Sequence, residues 1–240
     1  VNALTAESLY ALIAQSIRQR ERCVIGNHNL HSIHLDHQDP QMRAFYDQVA
    51  DYVFIDGMPL VLWGRVLGFP LKRANRLTVV DWLPSLMEKS AQEGWRVFYL
   101  GGRPGVAEAG AARFRAANPG LAIRTGHGYF DVKSESACIV ATINAFVPDV
   151  LLVGMGMPRQ EHWILHRRDD LHAPCIITVG AAMDYFAGAI PTPPRWTGRL
   201  GLEWLARLIA EPGRLWRRYL VEPWSLLPFM LADLRRRWSS

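Results

Sequence analysis

The chain lacks any apolar run near the ~20 residues a helix needs to cross a bilayer. Its first residues do not form the charged-then-apolar pattern of a secretory signal. Cysteine is scarce. Cys23, Cys138 and Cys175 stand far apart in apolar stretches, with no CxxC and no Cys/His ligand spacing. A disulfide scaffold is excluded, and three reduced, buried thiols in a cytosolic protein are expected. There is no internal repeat, no low-complexity tract and no Asp-x-Asp pair for a metal-bound nucleotide. No Ser-His-Asp or Cys-His set for nucleophilic catalysis stands out. Lysine is missing from Arg195 onward, where nine arginines face four acids; that excess is the whole net charge of +5, and residues 1–194 balance to zero. The same segment holds five of the nine tryptophans (196, 204, 216, 224 and 238). Arginine with tryptophan suits phosphate binding and a membrane interface. Such asymmetry points to an anionic partner.

What is present is ordinary globular composition. Half of the 240 residues are hydrophobic and a fifth are charged, which suits one large domain, alone or with an appendage. Six apolar runs end near Gly, Asn or Asp: "CVIGNHN" (23–29), "YVFIDG" (52–57), "RVFYLGG" (96–102), "AIRTGHG" (122–128), "DVLLVGMG" (149–156) and "CIITVG" (175–180). Most are continuously apolar, as strands covered on both faces should be. Helical spacing lies between them. "TAESLYALIAQSIRQRE" opens on a cap-like Thr and keeps Leu9, Leu12, Ile13 and Ile17 on one side. Residues 104–120 and 134–149 behave likewise. The alternation predicts an α/β fold: a Rossmann-like, mainly parallel sheet with helices on both faces, with ligands beyond the carboxyl ends of the strands. "GAIPTPPRW" (188–196) is a proline-stiffened connector, and the chain beyond it reads as helical and basic. The expected division is an α/β core over 1–194 and a basic helical appendage over 195–240.

Five stretches could carry chemistry. In "YVFIDGMPLV" a strand ends on Asp56 before Gly57, so Asp56 either caps the next helix or faces a site. "FYLGGRPGVAEA" (98–109) is a strand, a glycine turn at Gly101 and Gly102, then a helix whose amides could hold phosphate. Its spacing is not GxGxxG, and a plain tight turn is the other reading. "VGMGMPRQEHW" (153–163) sets Gly154 and Gly156 before Pro158, Arg159, Gln160 and Glu161. That is a good helix start, and it also supplies donors at the ligand edge of the sheet. "VGAAMDYFAG" places Asp184 just after the last strand, where a loop-orienting acid is the simpler reading. The histidines of "NHNLHSIHLDH" (27–37), with Asp36, read as a polar loop in preference to a metal site.

Taken together, these segments resemble the WecG/TagA/CpsF family of glycosyltransferases (glycosyltransferase family 26) over nearly the whole chain. The resemblance rests on Asn29 in the first strand turn, "DGMP" (56–59), Arg76 and Asp81 in "RLTVVD", "LGGRPGVAE" (100–108), "GHGYF" (126–130) with Tyr129, "PDVLLVGMGMPRQEHW" (148–163), "VGAAMD" (179–184) and "GLEWLARLIAEPGRLWRRYL" (201–220). It implies a metal-independent, inverting transfer of a hexose unit from a UDP-sugar to a polyprenyl-diphosphate-linked sugar, at the inner face of the cytoplasmic membrane, in cell-surface polymer synthesis. Asp56 takes the place of the family's presumed general base. The departing diphosphate needs positive charge, which Arg207, Arg214, Arg217 and Arg218 can supply without a cofactor or metal. The pattern departs at Asn27-His28-Asn29, at Thr78-Val79-Val80-Asp81 and at Thr192-Pro193-Pro194. These departures leave glucose, N-acetylmannosamine or its uronic acid open as donor.

Residues 216–238 have an apolar middle broken by Pro223 and Pro228 and flanked by arginines. That pattern suits helices lying in a membrane interface, or packed on the core. The other class of function is a non-catalytic nucleotide- or anion-binding module with a basic tail. No nucleic-acid recognition motif is present, so no nucleic-acid partner is expected. Self-association into a homo-oligomer stays open.

Overall fold

Each of the six apolar runs forms a strand: β1 Cys23–His28, β2 Tyr52–Ile55, β3 Arg96–Gly101, β4 Ala122–Gly126, β5 Val150–Gly154 and β6 Cys175–Thr178. The structure is a computed structural model that describes residues 1–192, 197 and 202–238. All strand pairs are parallel, in the order β2-β1-β6-β5-β3-β4. The central strands β1, β5 and β6 are buried along their whole length, which explains their unbroken apolar runs. Edge strand β4 exposes part of its length.

Alternate residues of each strand feed two apolar layers. Ile25, Val97, Leu152 and Ile177 pack under Leu9, Ile13, Trp82 and Met87, while Val24, Phe98, Leu151 and Ile176 pack against Phe45, Phe146, Trp163 and Ile164. In chain order the helices are α1 Ala6–Gln19, α2 Leu30–Gln38, α3 Pro40–Ala44, α4 Met58–Val66, α5 Val79–Glu93, α6 Val106–Ala117, α7 Ser136–Phe146, α8 Arg159–Arg167 and α9 Ala182–Phe186, and of these α1 and α5 to α9 supply side chains to the two layers. Thr5 caps α1 in a reciprocal pair with Ser8.

Two expectations are corrected. The histidine stretch is no polar loop: Leu30–Gln38 is helix α2, nucleated by a capping box in which Asn29 Oδ1 accepts from the Ser32 amide and Ser32 Oγ accepts from the Asn29 amide. The face it turns to the C-terminal helices carries His31, His34 and His37, so apolar periodicity misses it. Of the three thiols, Cys23 and Cys175 are buried register partners on β1 and β6, but Cys138 is exposed on α7.

The expected boundary near Pro194 and Arg195 falls outside the described residues, as do Trp196, Arg199 and Ser239–Ser240. Beyond it lie α10 Glu203–Ala210, α11 Pro212–Leu220, α12 Glu222–Ser225 and α13 Leu227–Trp238. Pro212 and Pro223 sit in first turns, where a missing amide costs no helical hydrogen bond. The α2 histidines receive this segment. His31 Nδ1 pairs with Glu222 Oε2 at 2.5 Å, His34 Nδ1 with Ser225 Oγ at 2.7 Å, and His37 stacks on Phe229 with ring centroids 3.7 Å apart.

Close packing at the carboxyl edge restricts Gly154. A Cβ at Gly154 would stand 2.2 Å from Tyr99 Oη and 2.5 Å from the Gly180 carbonyl, whereas one at Gly213 meets nothing within 4 Å. Gly154→Ala should therefore lower the urea-unfolding free energy by about 2 kcal/mol, in the range of overpacked cores. Gly213→Ala, in a helix, should leave stability level or slightly raised.

Candidate active site at the carboxyl edge of the sheet

Strand β1 is followed by a connection to β2 on one side, while β6 arrives from β5 on the other. The crevice between the ends of β1 and β6 is the switch point at which open α/β sheets bind ligands. A cavity of about 490 Å³ lies there, lined by Asn27 and Asn29 at the end of β1, Asp56 after β2, Gly156, and Thr178 to Ala181 at the end of β6. Helix α11 closes it with Arg214, Arg217 and Arg218, and α10 with Arg207. A second cavity of about 200 Å³ shares Asn29, Asp56, Arg207, Arg218 and Tyr219 with the first. It extends over Gly57 to Leu60, Arg76, Trp204 and Pro223. A third, of about 450 Å³, continues the other way past Gly102, Arg103, Tyr129, Gly154, Arg159 and Asp184, sharing Gly156 and Arg214 with the first. The first and third fall in the usual volume range of small-molecule sites, about 300–1,000 Å³.

Asp56 belongs to both of the first two cavities. Its amide donates to the His28 carbonyl at 2.7 Å, which holds the end of β2 to β1. Asn29 Nδ2 approaches Asp56 Oδ2 at 3.5 Å. The helix that follows has Gly57 as its N-cap and no side-chain cap bond, so Asp56 faces the cavities and is not the cap of α4. Gly57 has φ 143°, a conformation that side-chain-bearing residues rarely adopt. The chain can therefore turn sharply here and leave space beside the carboxylate.

Positive charge arrives from the C-terminal helices. Burial works against the Arg207 charge, but Tyr185, Asp56, Tyr219 and Glu203 around it outweigh burial and hold its pKa above the ordinary arginine value. The Arg207 guanidinium lies 5.3 Å from the Tyr185 ring centroid, and its Nε is buried without a hydrogen-bond partner among the described residues. Burial pulls the Arg218 pKa down, with Arg207 and Arg214 adding to that, while Tyr219 and Asp56 oppose it. Arginine keeps its proton in any case. Arg76 bridges core and appendage: Nη1 donates to Glu203 Oε2 at 2.5 Å and Nη2 to Asp81 Oδ2 at 3.2 Å. Asp81 also accepts from Thr78 Oγ1 at 2.6 Å and is itself exposed.

Some residues singled out from the sequence stand behind the walls. Gln160 and Glu161 are fully buried. Gln160 Oε1 accepts from the Gly180 amide at 3.1 Å, and its Nε2 donates to Glu161 Oε1 at 2.7 Å, so the pair ties α8 to the loop after β6. Pro158 is the N-cap of α8. Gly101 abuts Gly154 across the β3–β5 pair, where a Cβ would meet the Gly154 carbonyl. Arg159 borders the third cavity, but its Nη2 is bound to the Phe130 carbonyl. Asp184 lines the third cavity; burial raises its pKa, countered by Arg103 and Arg214. Sequence reasoning missed Thr178, Tyr185, Glu203, Arg103 and the His31–Glu222 pair. His31 left a signal in its three-residue spacing, and Arg103 and Glu203 lie inside segments that carry the family resemblance.

Burial pushes the Glu161 carboxyl up to about 7 from an ordinary value of 4.5, with Gln160 and Arg218 acting against the rise. A carboxyl raised on folding stabilises the fold fully below pH 4.5, and that contribution is lost as pH rises through 7. Glu161→Gln cannot ionise and retains the acceptor for Gln160. Its stability relative to wild type should improve by about 2–3 kcal/mol between pH 5 and pH 8, read by urea unfolding at each pH.

N-acetylglucosaminyldiphosphoundecaprenol N-acetyl-beta-D-mannosaminyltransferases from Staphylococcus aureus, strains NCTC 8325 / PS 47 and COL, are each 30% identical over 168 residues. The matched region is 70% of this chain and 65% of theirs, so the chain aligns with just under two thirds of those relatives' length. A family model described as Glycosyl transferase WecG/TagA/CpsF matches residues 1–240. The chain belongs to the WecG/TagA/CpsF glycosyl transferase family.

Proposed function

We propose that this protein is an inverting glycosyltransferase that moves a hexose unit from a UDP-sugar to a sugar carried on a polyprenyl diphosphate. One observation carries the reading: Asp56 opens onto two adjoining cavities whose shared wall carries Arg207 and Arg218. Two substrates can therefore meet at one carboxylate with cations on the donor side. The S. aureus relatives are named for N-acetylmannosamine transfer to N-acetylglucosaminyl-diphosphoundecaprenol. That makes N-acetylmannosamine the first donor sugar to test, with its uronic acid and glucose after it.

In this reading the donor diphosphate occupies the β1–β6 crevice. Arg207, Arg214, Arg217 and Arg218 face it from one side, and the Gly156 and Gly180 turns leave room on the other. The nucleoside extends toward Gly102 and Tyr129, whose exposed ring offers a stacking face. The acceptor enters past Met58, Pro59, Leu60 and Trp204, an apolar wall suited to the start of a prenyl chain. Asp56 takes the proton from the attacking acceptor hydroxyl as its oxygen bonds to the sugar C1. The bond from C1 to the phosphate oxygen breaks, its electron pair leaves with UDP, and the arginines stabilise that charge. Four guanidinium groups suffice for this without a metal.

The tail supports peripheral membrane attachment. No helix of the described residues is long and apolar enough to cross a membrane. The C-terminal helices nonetheless expose Ile209, Trp216, Trp224, Leu231 and Trp238 beside arginines 235–237. Such helices lie in the headgroup region.

Asp56→Asn keeps the shape and removes the base. UDP release with a short-chain polyprenyl-diphosphate-N-acetylglucosamine acceptor should fall about 10²–10⁴-fold with UDP binding retained. Full turnover in that variant would remove Asp56 from the chemistry. Tight nucleic-acid binding without UDP binding would favour the basic-module reading.

A further inference from the structure

The zero charge balance of residues 1–194 conceals a local excess. From Gly57 to Val80 there is no acidic residue, while Arg65, Lys72, Arg73 and Arg76 all fall in that stretch. Helix α4 buries Val61 and Gly64 and turns its other side outward. Leu62 is 52% exposed, Val66 50% and, past the helix end, Phe69 61%. Leu62 and Val66 are four residues apart, so they share one face. Single exposed aliphatics are ordinary on a protein surface. Arg76 is tied up by Asp81 and Glu203, but Arg65, Lys72 and Arg73 are exposed in the same segment as these three large apolar side chains, with no acid between them, a patch that suits a partner surface.

The position of the patch identifies what covers it. The first turn of α4, Met58 to Leu60, lines the Asp56 cavity opposite Trp204 and Pro223. The far end of α4 meets the tail: the Arg237 guanidinium lies 3.3 Å from where a Cβ on Gly68 would stand. The patch is thus continuous with the tryptophan- and arginine-bearing helices, and both surround the same cavity mouth. Apolar side chains with interspersed cations and no acids complement an anionic bilayer surface.

We propose that α4 and the turn after it, residues 58–73, are a second bilayer-contacting element, belonging to the core, which together with the C-terminal helices seats the mouth of the Asp56 cavity on an anionic membrane. The proposal rests on the membrane reading of the tail. It adds that the enzyme is held by two arms, one on each side of the acceptor entrance. A lipid-linked sugar can then reach Asp56 while its prenyl chain stays in the bilayer. One arm alone would attach the protein but leave the entrance free to tilt away.

The test uses the full chain in sedimentation with phosphatidylcholine vesicles, with and without phosphatidylglycerol. Val66→Ser/Phe69→Ser should bind anionic vesicles about tenfold more weakly than wild type, and Lys72→Glu should weaken binding only where phosphatidylglycerol is present. Both should retain their melting temperature and wild-type UDP release with a water-soluble short-chain acceptor, because none of these side chains lines any of the three cavities described above. If Trp224→Ser/Trp238→Ser loses vesicle binding while Val66→Ser/Phe69→Ser binds like wild type, the second arm is refuted and the membrane role of the tail stands. If wild type does not bind vesicles at all, the membrane reading itself fails and takes the second arm with it. A wild-type dimer in light scattering, converted to monomer by Val66→Ser/Phe69→Ser with vesicle binding intact, would reassign the patch to contact between two copies.

Discussion

The Asp56 carboxylate and the guanidinium groups of Arg207 and Arg218 depend on one another. Arg207 is held in a largely desolvated position, where an uncompensated charge would be costly. Asp56 and Glu203 supply the anions that make that position tolerable. The arginines reach the sheet on helices that share few apolar contacts with the two core layers: among their described residues only Leu215 and Leu226 are buried hydrophobics. Polar pairs do much of the docking instead, including Arg76–Glu203, His31–Glu222 and His34–Ser225. The interaction that attaches the appendage and the interaction that equips the site are therefore partly the same.

The sheet makes this arrangement possible by bringing distant segments to one edge. Asn29, Asp56, Gly156 and Gly180 are far apart in sequence and adjacent at the carboxyl ends of β1, β2, β5 and β6. Their short turns keep the backbone low, so space remains above the strands. Gly154 marks the cost of this crowding, because Tyr99 and the Gly180 carbonyl occupy the space its side chain would need. Gln160 and Glu161 add rigidity from behind by fixing the Gly180 amide to α8. The chemistry assigned to the front of that wall depends on packing in the back of it.

Much of this was legible in the sequence, for identifiable reasons. Buried parallel strands need continuous apolar runs, and all six runs became strands. Asp56 stood out because a carboxylate at the end of such a run has no place in a core. The α2 helix was not legible, since its docking face is His31, His34 and His37, which no hydrophobicity pattern registers. Gln160 reads from the sequence as a ligand-edge donor and Glu161 as a first-turn acid of the same site; only the three-dimensional path shows that both turn inward. The exposed Cys138 was misjudged from apolar neighbours, although α7 presents a solvent-facing side there. The basic character of the α4 region does not show in the zero balance of residues 1–194, because the acids that cancel it lie elsewhere in the chain.

The central claim is that the C-terminal arginines complete the donor site on the core. Calorimetric titration of UDP into wild-type protein and into the full-length Arg207→Gln/Arg218→Gln variant tests it most directly. Each lost charge-assisted hydrogen bond is worth about 1.5–3 kcal/mol. The account predicts at least a tenfold weaker UDP affinity in the variant, with its unfolding transition still cooperative. Unchanged UDP affinity in a folded variant would contradict it.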